Sequence, residues 1–136
     1  ETYCSATGVA RTAREFLVAR SEPSLLREIP AEEIVSKDVY DAAVKGDKLA
    51  QEIFEFTGTI LGEALADFIA FSSPAAIVLF GGLAKSGDYI MNPIQKAMDE
   101  TVMKIYKGKT KLLVSELKDA DAAVLGASAL GWEAKD

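Results

Sequence analysis

The residues best placed for chemistry form one short run, AIVLFGGLAKSGD at residues 76–88, in which apolar, strand-forming residues lead straight into Gly81 and Gly82. Adjacent glycines at the exit of a buried strand leave backbone N–H groups with no Cβ in front of them. That suits close approach to a ligand, and a tight turn with positive φ asks for the same residues. Both readings stand on the sequence alone. The run is not a Walker loop, whose lysine and hydroxyl spacing it lacks, and it is not the dinucleotide G-x-G-x-x-G. Chemistry elsewhere has thinner support. The chain holds one cysteine, Cys4, and no histidine, so it forms no internal disulfide and assembles no zinc site of its own. Cys4 is expected to be a small, half-buried thiol in a helix. Asp88 and Asp121 are carboxylates that helix capping explains, and Lys85 is either an exposed loop lysine or a phosphate contact.

These residues are positioned by alternating helices and short strands. Val9, Ala13, Phe16 and Leu17 fall on one face of a first helix, with Thr7 placed to cap it. Pro23 and Pro30 keep the next stretch in loops, and the mixed charges of REIPAEEIVSKD suit a solvated surface. A short helix over residues 37–45 stops at Gly46, and Asp47 can cap a long helix over 48–71. On that long helix Leu49, Ile53, Phe56, Ile60, Leu61, Leu65 and Phe68 form an apolar stripe. Gly58, Gly62, Ala66 and Ala70 form a second, smooth strip that predicts close approach of another backbone. A strand over 76–80, a helix opened by Asn92 and Pro93 and a strand over 111–115 make a βαβ unit with a parallel pair. The inward face of that helix is expected at Ile94, Ala97, Met98, Thr101 and Ile105. An alanine-rich helix over 120–132, capped by Asp119 or Asp121, closes the chain.

Composition bounds the function. The 136 residues, 49% hydrophobic and 26% charged, suffice for one globular core. A net charge of −6 with no basic run makes nucleic acid an unlikely partner, because that affinity rests on lysines and arginines neutralising phosphates. No apolar run approaches the roughly 20 residues of a membrane span, so no membrane partner and a cytoplasmic location are expected. Two parallel strands make a poor sheet, since parallel sheets are covered on both faces and contain more strands. The chain is therefore expected to be part of a larger protein.

AIVLFGGLAKSGDYIMNPIQKAM resembles the adenosine-binding segment of sugar kinases with the actin-like ATPase (ribonuclease H-like) fold, and specifically of the ROK family of repressors, open reading frames and kinases. On that resemblance Gly81, Gly82, Leu83 and Ala84 match the family's nucleotide-binding pattern. The opening ETYCSATG is similar to the segment just after the family's zinc motif, where a glutamate, here Glu1, hydrogen-bonds the bound sugar. DADAAVLGASALGW is similar to the closing family helix, with Gly126 at its close approach to the nucleotide. The resemblance implies an α/β fold in which residues 1–136 form a single domain, the C-terminal part of a two-domain, glucokinase-like enzyme. That enzyme would phosphorylate a hexose with ATP and Mg²⁺, this segment supplying the adenosine side of the cleft. The family's catalytic aspartate, phosphate loops and zinc ligands precede the matching residues, so the chain alone is expected to be inactive. The rival reading is the effector domain of a sugar-responsive repressor of the same family. In either case uncovered apolar surface predicts a homo-oligomer.

Overall fold

The computed structural model describes residues 2–117 and 119–133. The first helix, α1 (Ala6–Ala19), is capped by Ser5, whose Oγ accepts the Gly8 amide at 3.0 Å. Thr7, the expected cap, lies inside the first turn with its Oγ1 3.0 Å from the Ser5 hydroxyl. The shift has its cause in the residues before the helix, which fold back over it: a Cβ on Gly8 would stand 2.4 Å from the Tyr3 carbonyl oxygen. Cys4 belongs to this fold-back and not to the helix, and its thiol points at the Thr57 carbonyl at 3.8 Å.

A loop of two short 3₁₀ turns leads to α2 (Ser36–Val44), whose first turn is closed by Asp38 accepting the Val35 amide at 2.9 Å. Gly46, at φ +88°, ends it. Asp47 caps α3 (Lys48–Ser72) by accepting the Ala50 amide at 3.1 Å. The last turn of α3 closes on Ser73 at φ +46°, ahead of Pro74.

Helix α3 buries Ala50, Ile53, Phe54, Thr57, Gly58, Gly62, Leu65, Ala66 and Ile69. The expected stripe holds at Leu49, Ile53 and Leu65, whereas Phe56 and Phe68 are exposed and Ala70 leaves the buried strip. The glycines cause this rotation by setting what α3 packs against. A Cβ at Gly58 would sit 2.7 Å from Pro93 Cγ, and one at Gly62 would sit 2.5 Å from the Ile94 carbonyl oxygen and 2.7 Å from Ala97 Cβ. Helix α4 (Asp88–Thr101) is pressed backbone to backbone against that strip, leaving the larger aromatics at the margins.

Helix α4 starts earlier than expected. Its cap is Gly87, so Asn92 and Pro93 fall inside the helix. Pro93 forfeits one intrahelical bond, and its ring instead fills the space over Gly58. The helix also ends early, at Thr101, and turns over residues 103–110 lead to the second strand. Ile94, Ala97 and Met98 are buried as expected, but Thr101 and Ile105 are exposed because the helix does not continue past 101.

Strands β1 (Ala76–Leu79) and β2 (Lys111–Val114) pair in parallel, with Ala76 opposite Lys111 and Leu79 opposite Val114. Ile77, Leu79 and Leu112 lie against the core. Val78, at 57% exposure, and Leu113, at 44%, line the opposite face, which nothing in this chain covers among the described residues. Helix α5 (Asp119–Glu133) exposes Val124, Leu125, Leu130 and Trp132; the residue that would cap it lies outside the described residues. No helix among them is long and apolar enough to cross a membrane.

Candidate functional site

Strand β1 delivers the chain to the site. After Leu79 and Phe80 the backbone turns through Gly81 at φ +101°, a conformation that strongly favours glycine. Gly82 differs. Its φ of −60° and ψ of −36° are ordinary for any residue, and an added Cβ would meet nothing within 4 Å. The turn explains the first glycine; none of the described residues explains the second.

Beyond Gly82 a 3₁₀ turn (Leu83–Ser86) runs into α4. Leu83 packs against the core and Ala84 is buried, so both hold the turn down. Gly82, Lys85 and Ser86 instead line an open cavity of about 460 Å³, with Ala6 of α1 and Val35, Ser36, Lys37 and Tyr40 around the start of α2. Three segments distant in sequence thus converge on the exit of β1.

The α2 side of this cavity is a built feature. Ile34 is fully buried, and Arg14 on α1 donates from Nε to the Ala31 carbonyl at 2.7 Å and from Nη2 to the Ile34 carbonyl at 3.0 Å. The stretch expected to be a solvated surface is therefore anchored at its apolar centre and forms a wall. Tyr40 is fixed edge-on against Tyr89, ring centres 6.1 Å apart. Lys37 pairs with Asp41 at 2.7 Å, and that hydrogen bond and charge hold its pKa above the ordinary value, keeping it cationic.

The other expected site residues lie away from this cavity or beyond the described chain. Glu1 lies outside the described residues. Gly126 falls within α5, where an added Cβ would meet nothing within 4 Å, and it does not line the cavity. Asp88 opens α4 as an exposed first-turn carboxylate, and Asp121 is exposed within α5. Cys4 is half-buried, and burial pushes its thiol pKa up. Among the described residues no three His, Cys, Asp or Glu side chains gather to hold a metal ion. The described residues offer no donor set for a Mg²⁺ or zinc ion. The α2 wall was the part hidden from sequence reasoning; its one signal was the apolar pair Ile34–Val35 inside an otherwise charged run.

This α/β arrangement of helices around a small parallel strand pair is that of solved sugar kinases with the actin-like ATPase fold. The structure of a ROK family glucokinase from Streptomyces griseus in complex with glucose and AMPPNP matches it with a TM-score of 0.77 at 25% identity, covering 86% of this chain and 39% of that one. The ROK family model matches residues 1–134, and the chain belongs to that family. A glucokinase from Halalkalibacterium halodurans is 30% identical over 136 residues, covering 99% of this chain and 40% of the relative. The DNA-binding transcriptional dual regulator NagC of Escherichia coli is 29% identical over 102 residues, covering 75% of this chain and 25% of the regulator. The chain thus spans about two fifths of the length of the glucokinase it matches, and its relatives include both sugar kinases and repressors.

Proposed function

We propose that this chain is the C-terminal, nucleotide-side portion of a glucokinase-like enzyme that transfers the γ-phosphoryl group of ATP to a hexose hydroxyl. Gly82 is the observation that carries the reading. It has ordinary dihedrals and no described neighbour within 4 Å of an added Cβ, and it lines the cavity, so it presents bare backbone there and leaves room for a ligand. A nucleotide against the β1 exit, with its adenosine in the cavity beside Val35, Tyr40 and Lys85, supplies that partner. Gly81, Leu83 and Ala84 then act by shaping the turn, Gly126 approaches the nucleotide from α5, and Glu1 hydrogen-bonds the sugar.

Phosphoryl transfer proceeds mainly by positioning and electrostatic stabilisation, with a carboxylate receiving the hydroxyl proton and Mg²⁺ neutralising phosphate charge. This chain contributes positioning. Its carboxylates at Asp88 and Asp121 are exposed and do not line the cavity, so it alone is expected to release no ADP from ATP and a hexose. Addition of ATP to the labelled chain is expected to shift the amides of Gly81, Gly82 and Gly126 saturably; no shift up to millimolar ATP would remove the nucleotide assignment. The exposed sheet face at Val78 and Leu113 supports association, and a cytoplasmic homo-oligomer is the expected form.

A second reading is favoured by the match to NagC: the effector domain of a ROK repressor. The two separate in the longer protein that carries this chain, where hexose-dependent ADP formation marks a kinase and hexose-dependent release of an operator marks a regulator.

A further inference from the structure

We propose that the cavity wall formed by the start of α2 is a subsite for a phosphate group. The proposal goes beyond the nucleotide reading, because it rests on donors of this chain whichever molecule carries the phosphate.

The first turn of a helix has amides with no carbonyl one turn earlier to receive them. In α2 two of these are taken. The Val35 amide donates to Asp38 Oδ2 at 2.9 Å, and the Asp38 amide donates to the Val35 carbonyl at 3.0 Å. The amides of Ser36 and Lys37 donate to no described residue, and both residues line the cavity. Fixed in the helix, these amides cannot turn away as a side chain can, and their place at the positive end of α2 favours an anion.

A helix end alone does not make a site, and the facing wall supplies the rest. Ser86, in the turn after β1, is 5% exposed and lines the same cavity, yet its hydroxyl makes no hydrogen bond to a described residue. A buried hydroxyl without a partner is costly, and one that borders a cavity finds its partner in what fills it. The Tyr40 hydroxyl is a further donor, one turn along α2 from Ser36, on a ring held edge-on against Tyr89.

Donors therefore border the cavity on two sides, and no carboxylate or carboxamide lines it. The two carboxylates of α2 are both committed, Asp38 to the Val35 amide and Asp41 to the Lys37 ammonium at 2.7 Å. Lys85 also lines the cavity and is engaged in a contact of its own. A neutral carbonyl would satisfy one or two of these donors. A phosphate presents acceptor oxygens in several directions at once, and it carries the charge that the helix end and Lys37 favour.

The test is titration of the isotopically labelled chain with inorganic phosphate at constant ionic strength, against chloride, following the amides of Ser36, Lys37, Tyr40 and Ser86. Saturable shifts that chloride does not reproduce are expected. Ser36→Pro removes one amide and suits the fold, since proline is favoured at the first helical position and Val35 before it is already extended, at φ −117° and ψ 165°. It should bind phosphate about tenfold or more weakly than Ser36→Ala, which loses only the hydroxyl. Ser86→Ala should lose a similar factor relative to the parent chain. Shifts no larger than those from chloride, or equal affinity in either comparison, would overturn the inference. Repeating the titration with ATP present identifies the carrier: competition at Ser36 and Lys37 assigns the subsite to a phosphate of the nucleotide, and simultaneous saturation assigns it to the free ion. Phosphate shifts with no response to ATP anywhere in the cavity would remove the nucleotide assignment and leave this inference standing.

Discussion

Replacing Gly62 with alanine tests the packing on which the whole site stands. In an isolated helix the change is favourable by about 1 kcal/mol, because glycine loses more backbone freedom on folding than alanine. Here the added methyl would lie 2.5 Å from the Ile94 carbonyl oxygen, 2.7 Å from Ala97 Cβ and 3.0 Å from the Met98 amide nitrogen. Two of these three atoms are backbone, and the third is a Cβ fixed to it, so no rotamer change relieves the clash and α4 must move off α3. Overpacking of this kind costs about 1–3 kcal/mol, and contacts well under 3 Å place it toward the upper end. Subtracting the propensity gain leaves a net loss of about 1–2 kcal/mol, a fall in melting temperature of roughly 3–10 °C for a chain of this size. Thermal melts and urea titrations monitored by circular dichroism would measure it, with Gly131→Ala as control, since an added Cβ there meets nothing within 4 Å. A Gly62→Ala chain that melts higher than the parent would refute the argument, because propensity would then outweigh a contact too loose to matter.

The two glycines at the β1 exit should separate: Gly81→Ala strains a φ of +101° and is expected to destabilise by about 1–2 kcal/mol, whereas Gly82→Val should leave the melt unchanged and abolish nucleotide shifts. Equal effects of the two on stability would count against a ligand role for Gly82. Burial works to raise the Asp47 pKa, but hydrogen bonds from the Ser24 hydroxyl and the Ala50 and Leu25 amides outweigh it and hold the pKa below the ordinary value. Its contribution is therefore present above about pH 4 and lost as pH falls below that. Asp47→Ala should cost about 1–2 kcal/mol at neutral pH, and a difference from the parent that stays constant down to pH 2 would contradict the linkage. Arg14→Ala removes three bonds to the loop before α2, to the Ala31, Glu32 and Ile34 carbonyls; amide exchange at Val35–Lys37 should quicken and nucleotide binding weaken, and Arg14→Lys should not restore the paired geometry. Unchanged exchange at those amides would show the wall is held by Ile34 alone.

The parts of this fold legible in the sequence are those set by local chemistry. Gly46 followed by Asp47 marks a stop and a start within two residues, and both occur where expected, because a positive φ and an N-cap are decided by the residues themselves. The parallel pair could be read from spacing: a strand, a helix of crossover length and a strand allow little else. The start of α4 differs from expectation because Asn-Pro is a strong local signal for a first turn. Tertiary contact overrode it, since placing Pro93 inside the helix lets its ring cover Gly58. Phe56 and Phe68 depart from the expected stripe for a related reason. Hydrophobicity counts large side chains as core, yet the face that packs closest is the one with no side chains. The site divides the same way. Its glycines could be found in one run of residues, but the α2 wall depends on Arg14 reaching a loop about twenty residues away, and no periodicity reports that.

That division explains why the cavity lies where it does. Its three walls come from the start of α1, the start of α2 and the turn after β1, and each is pinned by a contact a small change would break. The residues before α1 cross Gly8 at backbone distance, Arg14 holds the loop that delivers α2, and α4, which receives the turn after β1, is clamped to α3 through Gly58 and Gly62. Buried apolar volume alone would tolerate several arrangements of these helices, since cores accept repacking when volume is kept. Backbone-to-backbone contacts allow far fewer, because neither side can yield by rotating a side chain. Placing the walls of the cavity on such contacts fixes their spacing and leaves the lining free to be open and largely apolar.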